Sequence, residues 1–168
     1  MADIAKRTGI SRQAVYLHFA SRAELLEATT KHLDAKLQLE ARLTPSRLAK
    51  TGADRLALYV EFWGNYIPEI YGVAKALLLV VDSDEAAAAA WQDRMAALRD
   101  GCRATIDALE EDGCLASEWD RQTAVDTLWT LLSVENWEHL TVTCGWTQAQ
   151  YVARMKILVA RLFIENQV

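Results

Sequence analysis

Apolar residues recur along this chain at steps of three and four, and nowhere alternate in a sustained period of two. That is the periodicity of helices and not of strands. The clearest run is Trp91, Met95, Leu98, Cys102, Ile106 and Leu109, which lays one apolar stripe along one helix face. Ser83 ahead of it is the expected N-cap and Gly113 behind it the expected stop. Within this run the five alanines at 86–90 are simply strong helix former.

The same signals partition the rest. Residues 2–7 predict a short helix ended by Gly9, and Ser11 caps a second short helix reaching Phe19. Ser21-Arg22-Ala23-Glu24 reads as a capping box that opens a long helix to about Leu43, with Leu25, Ala28, His32, Ala35 and Leu39 on one face. Thr44-Pro45 is a helix start or a turn. A helix over about 54–66 places Leu58, Phe62 and Tyr66 together, and Pro68 kinks it or starts another helix through Val81. Ser117-Glu118-Trp119-Asp120 opens a helix to about Val142, and Cys144-Gly145 breaks it. Thr147-Gln148-Ala149-Gln150 opens the last, to about Glu165. The expected fold class is all-α.

Composition fits this reading. In 168 residues, 52% are hydrophobic and 24% charged, a globular balance, and seven Gly with two Pro are too few for a turn-rich β-sandwich. Cys102, Cys114 and Cys144 are odd in number and far apart; they suit neither a zinc ribbon nor a disulfide framework, and point to a reducing cytoplasm. No apolar run follows Met1, so no signal peptide is expected, and the apolar stretch at 76–81 is too short to span a bilayer.

Charge divides the chain. Residues 1–50 carry a net +4 and the remainder a net -9. A basic head on an acidic body suits a protein that meets a polyanion at one end, although solvated faces can fluctuate this far by themselves.

The basic end holds a motif. Residues 4–15 have the spacing of a helix-turn-helix. Ala5 is small where two helices would cross, and Gly9 can take the positive φ of a tight corner. Ile4, Ile10 and Val15 supply a miniature core, while Ser11 caps the second helix and leaves Arg12, Gln13 and Tyr16 projecting outward. Arg and Gln can hydrogen-bond base edges in the major groove, and a helix N-terminus favours phosphate. An ordinary helical corner has much the same pattern.

The residues that follow are more specific. Val15-Tyr16-Leu17-His18-Phe19-Ala20-Ser21-Arg22-Ala23-Glu24-Leu25-Leu26 resembles the Tyr-x-His-Phe-x-Ser-Lys-x-x-Leu signature of the tetracycline-repressor (TetR) family of bacterial transcriptional regulators, and Asp3-Ile4-Ala5 with Gly9-Ile10-Ser11 is similar to the same family. The resemblance is close over residues 2–30. It implies a DNA-binding surface at Ser11, Arg12, Gln13, Tyr16, His18 and Arg22, with Phe19 in the core, and double-stranded operator DNA as partner. Arg22 stands where the family usually has Lys and keeps the charge as a planar fork. Family members also have a helix ahead of this motif, whereas fifteen residues precede Tyr16 here. The head is therefore expected to lack one wall, to leave Ile4, Val15 and Phe19 underpacked, and to grip operator weakly.

The expected organisation is a head with its connecting helix at 1–43 and a ligand-binding and dimerisation domain at 44–168. The resemblance implies a homodimer through the last two helices. The sequence allows it: Val125, Leu128, Trp129 and Leu132 share one stripe, and Tyr151, Met155, Leu158 and Leu162 another, unless those faces only complete a monomer core. Six tryptophans are many for this length. Tyr59, Trp63, Tyr66, Trp91, Met95, Cys102 and Trp129 are the candidate lining of a pocket for an unknown small-molecule effector, apolar or aromatic, with Asn65, Cys102 or Asn136 as polar handles. For any one of them, core packing is the plainer role.

Other chemistries find little support. Glu135 and His139 stand i, i+4 and could share a metal, but the other histidines, His18 and His32, belong to the head end. Cys102 with His139 lacks an orienting acid and an oxyanion hole, and no Gly-rich phosphate loop is present. No cofactor, no metal and no enzymatic activity are expected. The expected function is that of a ligand-responsive repressor, whose head spacing ceases to fit the operator when effector binds. The alternative is a helical dimer with a degenerate head that serves only as a small-molecule binding or interaction protein.

Overall fold

A computed structural model describes residues 1–165. It is all-α, as expected. The elements are α1 (Ala2–Thr8), α2 (Arg12–His18), α3 (Arg22–Lys36), α4 (Leu39–Arg47), α5 (Gly52–Leu78), α6 (Glu85–Glu111), α7 (Arg121–Leu131), α8 (Val134–Glu138), a π-helical turn (His139–Thr143) and α9 (Gln148–Phe163). Among the described residues, β pairing is limited to one bridge, Leu115 to Ile164.

Side chains set most helix starts. Ser11 accepts from the Ala14 N–H, Ser21 from that of Glu24, and Thr147 forms a reciprocal capping box with Gln150. Two caps move by a residue or more. Asp84 caps α6 in place of Ser83, taking the N–H groups of Ala86 and Ala87, and Asp120 caps α7 in place of Ser117. In each, a carboxylate with a stronger accepting oxygen stands closer to the helix.

Three expected helices are redrawn. The long helix from Ser21 stops at Lys36, because Gln38 turns into the left-handed region with φ 55, and Leu39 restarts the chain as α4. The expected boundary at 43/44 falls inside α4, and Pro45 lies within it. Conversely, α5 runs unbroken through Pro68. The helix expected to reach Val142 breaks at Leu132, and Ser133 caps a new short helix.

The body core forms where α5 meets α6 and α9. Leu56, Val60 and Ile67 of α5 pack with Leu98, Cys102, Ile106 and Leu109 of α6 and with Tyr151, Met155, Val159 and Phe163 of α9. The inward stripe of α5 is thus Leu56, Tyr59, Val60, Trp63, Tyr66 and Ile67, while Leu58 and Phe62 are only half-buried. Nor does α3 bury the expected stripe: His32 and Ala35 are exposed, and Leu26, Thr30 and Leu33 face inward instead. A smaller cluster of Leu77, Ala87 and Ala90 receives Leu26 of α3, so the connecting helix is seated on the ends of α5 and α6.

The two stripes assigned to a dimer interface are largely spent within the monomer. Val125, Leu128 and Leu132 are buried, as are Tyr151 and Met155. On α9 the inward stripe steps by four throughout, to Val159 and Phe163, which turns Ile157 and Leu158 outward. Val142 on the π-helical turn is also exposed.

Candidate functional site

The head presents a polar row. Ser11, Arg12, Gln13, Tyr16 and His18 are all exposed on α2. Gly9 has φ 70, a conformation that only glycine adopts without strain, and this corner sets the angle between α1 and α2. The Ser11 cap leaves the first turn of α2 clear for Arg12 and Gln13, and the Arg12 guanidinium lies 5.6 Å from the centre of the Tyr16 ring. Lys6 and Arg7 close α1 beside it. Such a surface offers bidentate donors to base edges and positive charge to phosphates.

The miniature core is smaller than expected. Ala5 and Val15 are buried, and Ile4 and Phe19 are half-buried, so these retain packing. Ile10, expected inside, is 48% exposed, and Leu17 is 80% exposed. Arg22 is exposed too, but its guanidinium is ion-paired with Asp84, the residue that caps α6. It therefore ties the first turn of the connecting helix to the body.

The body holds a partly open cavity of about 440 Å³ lined by α3, α4, α5 and α6, with Val134 of α8. Tyr59, Trp63, Tyr66, Trp91 and Met95 all line it. Cys102 and Trp129 do not. Cys102 is fully buried on the core side of α6, and burial pushes its thiol up to about 12. Trp129 stacks on Arg99 and lines a separate recess with Trp91 and Met95. The proposed amide handles are elsewhere as well: Asn65 is exposed, and Asn136 donates to the Leu131 carbonyl at 2.7 Å.

Tyr59 shapes the cavity because α6 has no side chain at Gly101. A Cβ there would collide with the Tyr59 hydroxyl and ring. The hydroxyl donates to the Leu98 carbonyl at 3.2 Å, and burial raises its pKa well above the ordinary value. Across the cavity the Tyr66 hydroxyl donates to Asp34 at 2.6 Å, and burial, then this carboxylate, raises its pKa. Asp34 also pairs with Arg94, which in turn holds Asp93. Arg47 pairs with Glu40 at 2.5 Å, and Arg103 with Asp100 at 2.5 Å. Each acidic side chain of the lining therefore already has a cation, and the lining is mainly apolar.

The contribution of α3 and α4 to this wall was not visible in the sequence. Leu33, Asp34, Leu39 and Leu43 enter it because the chain breaks at Gln38, and no glycine or proline marks that break. Arg55 and Arg94 also carry no signal of their own in the sequence, being charged residues inside helices. Glu135 and His139, the candidate metal pair, are exposed, and among the described residues no group of three or more His, Cys, Asp or Glu could hold a metal ion. No helix of the described residues is long and apolar enough to cross a membrane.

Comparison with known proteins adds to this geometry. Residues 1–29 match the family described as "Bacterial regulatory proteins, tetR family". Over these residues the head is similar to that of the TetR family. The TetR-family match covers α1, α2 and the first turns of α3, which are the elements that build the polar row. The whole chain is similar in fold to a crystal structure described as a TetR-family transcriptional regulator from Rhodococcus sp., with a TM-score of 0.72 and 20% identity, over 96% of this chain and 85% of the other. At that identity the likeness speaks for the fold. Among curated proteins no match is found.

Proposed function

We propose that this protein is a ligand-responsive repressor. It acts as a homodimer that holds operator DNA through its two heads and releases it when a small apolar molecule fills the body cavity. The observation that carries the reading is the exposed row of Arg12, Gln13, Tyr16 and His18 on a capped helix, set on a body that holds a largely apolar cavity. Arg12 and Gln13 read base edges, Ser11 and the first turn of α2 meet phosphate, and Tyr16 and His18 contact the backbone. Arg22 alternates between phosphate and Asp84. The connecting helix α3 contributes to the cavity wall through Thr30, Leu33 and Asp34 and also carries the head, so the effector biases the head by its different affinity for the two α3 positions. Dimerisation uses the outward face of α9, where Ile157 and Leu158 are exposed between Arg154 and Arg161, with Val142 nearby in sequence on the π-helical turn. The expected place of action is the cytoplasm.

Operator selection from a random duplex pool, followed by fluorescence anisotropy, tests the reading. The wild type is expected to enrich a palindromic site, and Arg12→Ala or Gln13→Ala to relax sequence preference with a loss of about 1–3 kcal/mol each. Failure to enrich any sequence overturns it. Leu158→Glu is expected to convert the dimer to monomer in light scattering, and to weaken operator binding with it.

A further inference from the structure

The cavity has a direction. Along α5 its lining runs from Arg55 to Leu77, about 30 Å of helix at 1.5 Å per residue, and along α6 from Trp91 to Thr105, about 20 Å. A space of about 440 Å³ stretched over that length is long and thin. Its middle is walled by Phe62, Trp63, Met95 and Leu98, which offer no free polar group; the Trp63 N–H is already given to the Leu132 carbonyl at 2.6 Å.

The polar side chains of the lining can be accounted for one by one. The acids hold arginines, as described above. The hydroxyls of Thr30, Ser46 and Thr105 all donate to backbone carbonyls. Two donors remain without a protein partner among the described residues: the guanidinium of Arg55 at one end, and the indole N–H of Trp91 toward the other. Among the described residues Arg55 has neither an ion-pair partner nor a side-chain hydrogen bond, although it is half-buried. Its neighbours at that end are Glu40 paired with Arg47 and Asp100 paired with Arg103, so the end as a whole keeps one uncompensated positive charge. At the opposite end Arg94 is shared between Asp34 and Asp93, which leaves that end with no positive excess.

We infer that the effector is an extended apolar monocarboxylate, of the class of medium- to long-chain carboxylic acids, lying with its carboxylate on Arg55 and its chain running along α5 toward Trp91. A planar guanidinium accepts a carboxylate by two parallel hydrogen bonds, and a single unmatched charge suits a monoanion better than a phosphate monoester near charge -2. The polarity of the two ends determines the orientation. The inference rests on the cavity being the effector site.

The test compares decanoate with 1-decanol on the whole protein, by tryptophan fluorescence (Trp63 and Trp91 are in the wall) and by the shift in melting temperature. Decanoate is expected to bind at least ten-fold tighter than decanol. Arg55→Gln is expected to reduce decanoate to the level of decanol and to leave decanol unchanged, and Arg55→Lys to recover part of the difference. Equal binding of the two probes to the wild type, or indifference of decanoate to Arg55→Gln, overturns the carboxylate assignment while the cavity remains an apolar site. Binding of neither probe overturns the cavity reading and the inference with it.

Discussion

The side-chain amide of Gln148 donates to the main-chain carbonyl of Gly64 at 2.6 Å. In an unbroken helix that carbonyl would accept from the N–H four residues on, but the residue there is Pro68, which has none. Pro68 therefore does not end α5, because the acceptor it leaves without a helical donor is satisfied from α9. The other end of the same amide accepts from the Trp137 indole N–H at 3.0 Å. One glutamine thus joins α5, α8 and α9.

Gln148→Ala is expected to lower stability by about 1–3 kcal/mol, since it leaves a carbonyl and an indole N–H together without their partner. Gln148→Glu should cost more, because a carboxylate oxygen would then face the Gly64 carbonyl. In a Pro68→Ala background the backbone N–H at 68 returns, and the penalty at 148 should shrink. Urea melts of the four proteins, arranged as a double-mutant cycle, measure that coupling; additive penalties would separate Gln148 from Pro68.

Gly101→Ala should be destabilising, against the usual gain of up to about 1 kcal/mol for replacing a helical glycine. The added methyl would meet the Tyr59 hydroxyl, which sits against α6 and donates to Leu98. Overpacking of this kind costs about 1–3 kcal/mol. Tyr59→Phe removes the nearest atom but leaves two ring carbons within 2.7 and 2.9 Å of the added methyl, so Gly101→Ala in that background should cost less than in the wild type and still be destabilising. Thermal melts of the single and double variants decide it.

Stability should fall in mild alkali. Burial pushes the Cys102 thiol up to about 12 from 9.0, and burial also raises Tyr59, Tyr66 and Tyr151 above 10.0. The folded state holds these protons and the unfolded state releases them, so their contribution is complete below pH ~9 and is lost as pH rises. For Cys102 the slope is at most about 1.4 kcal/mol per pH unit. Urea midpoints between pH 8 and 11 test the sign, and Cys102→Ser should flatten the early part of the decline. A thiol reagent at pH 8 should modify exposed Cys144 at once and Cys102 only after unfolding.

The sequence was legible where periodicity and capping agree. The stripe Leu98, Cys102, Ile106 and Leu109 and the caps at Ser11, Ser21 and Thr147 stand as expected. It was misleading where tertiary partners override local rules. Gln148 rescues a helix through Pro68, and Gln38 breaks one with no glycine or proline to announce it. Five of the seven residues proposed for the cavity do line it, because they lie on the inward faces of α5 and α6, the two helices that supply most of its wall. Cys102 was misplaced because it shares the stripe of Met95 and Leu98 but lies on the part of it that α6 turns toward the core. Trp129 was misplaced because α7 sits behind α6 and not beside the cavity.

Asp84 serves two partners. One carboxylate oxygen caps α6 and the other holds Arg22, whose side chain is 52% exposed in the pair. Asp84→Ala should lose about 1 kcal/mol through the cap. Asp84→Asn keeps an accepting oxygen and gives up only a partly exposed ion pair, so its cost should stay below about 1 kcal/mol. The two variants should differ from Arg22→Ala in their effect on DNA. If Arg22 alternates between Asp84 and a phosphate, Asp84→Asn frees it and should tighten operator binding several-fold, whereas Arg22→Ala should weaken it about equally on all sequences and reduce the salt slope by about one. Anisotropy titrations at several salt concentrations read both quantities. An unchanged slope in Arg22→Ala would confine this arginine to holding α3 on the body.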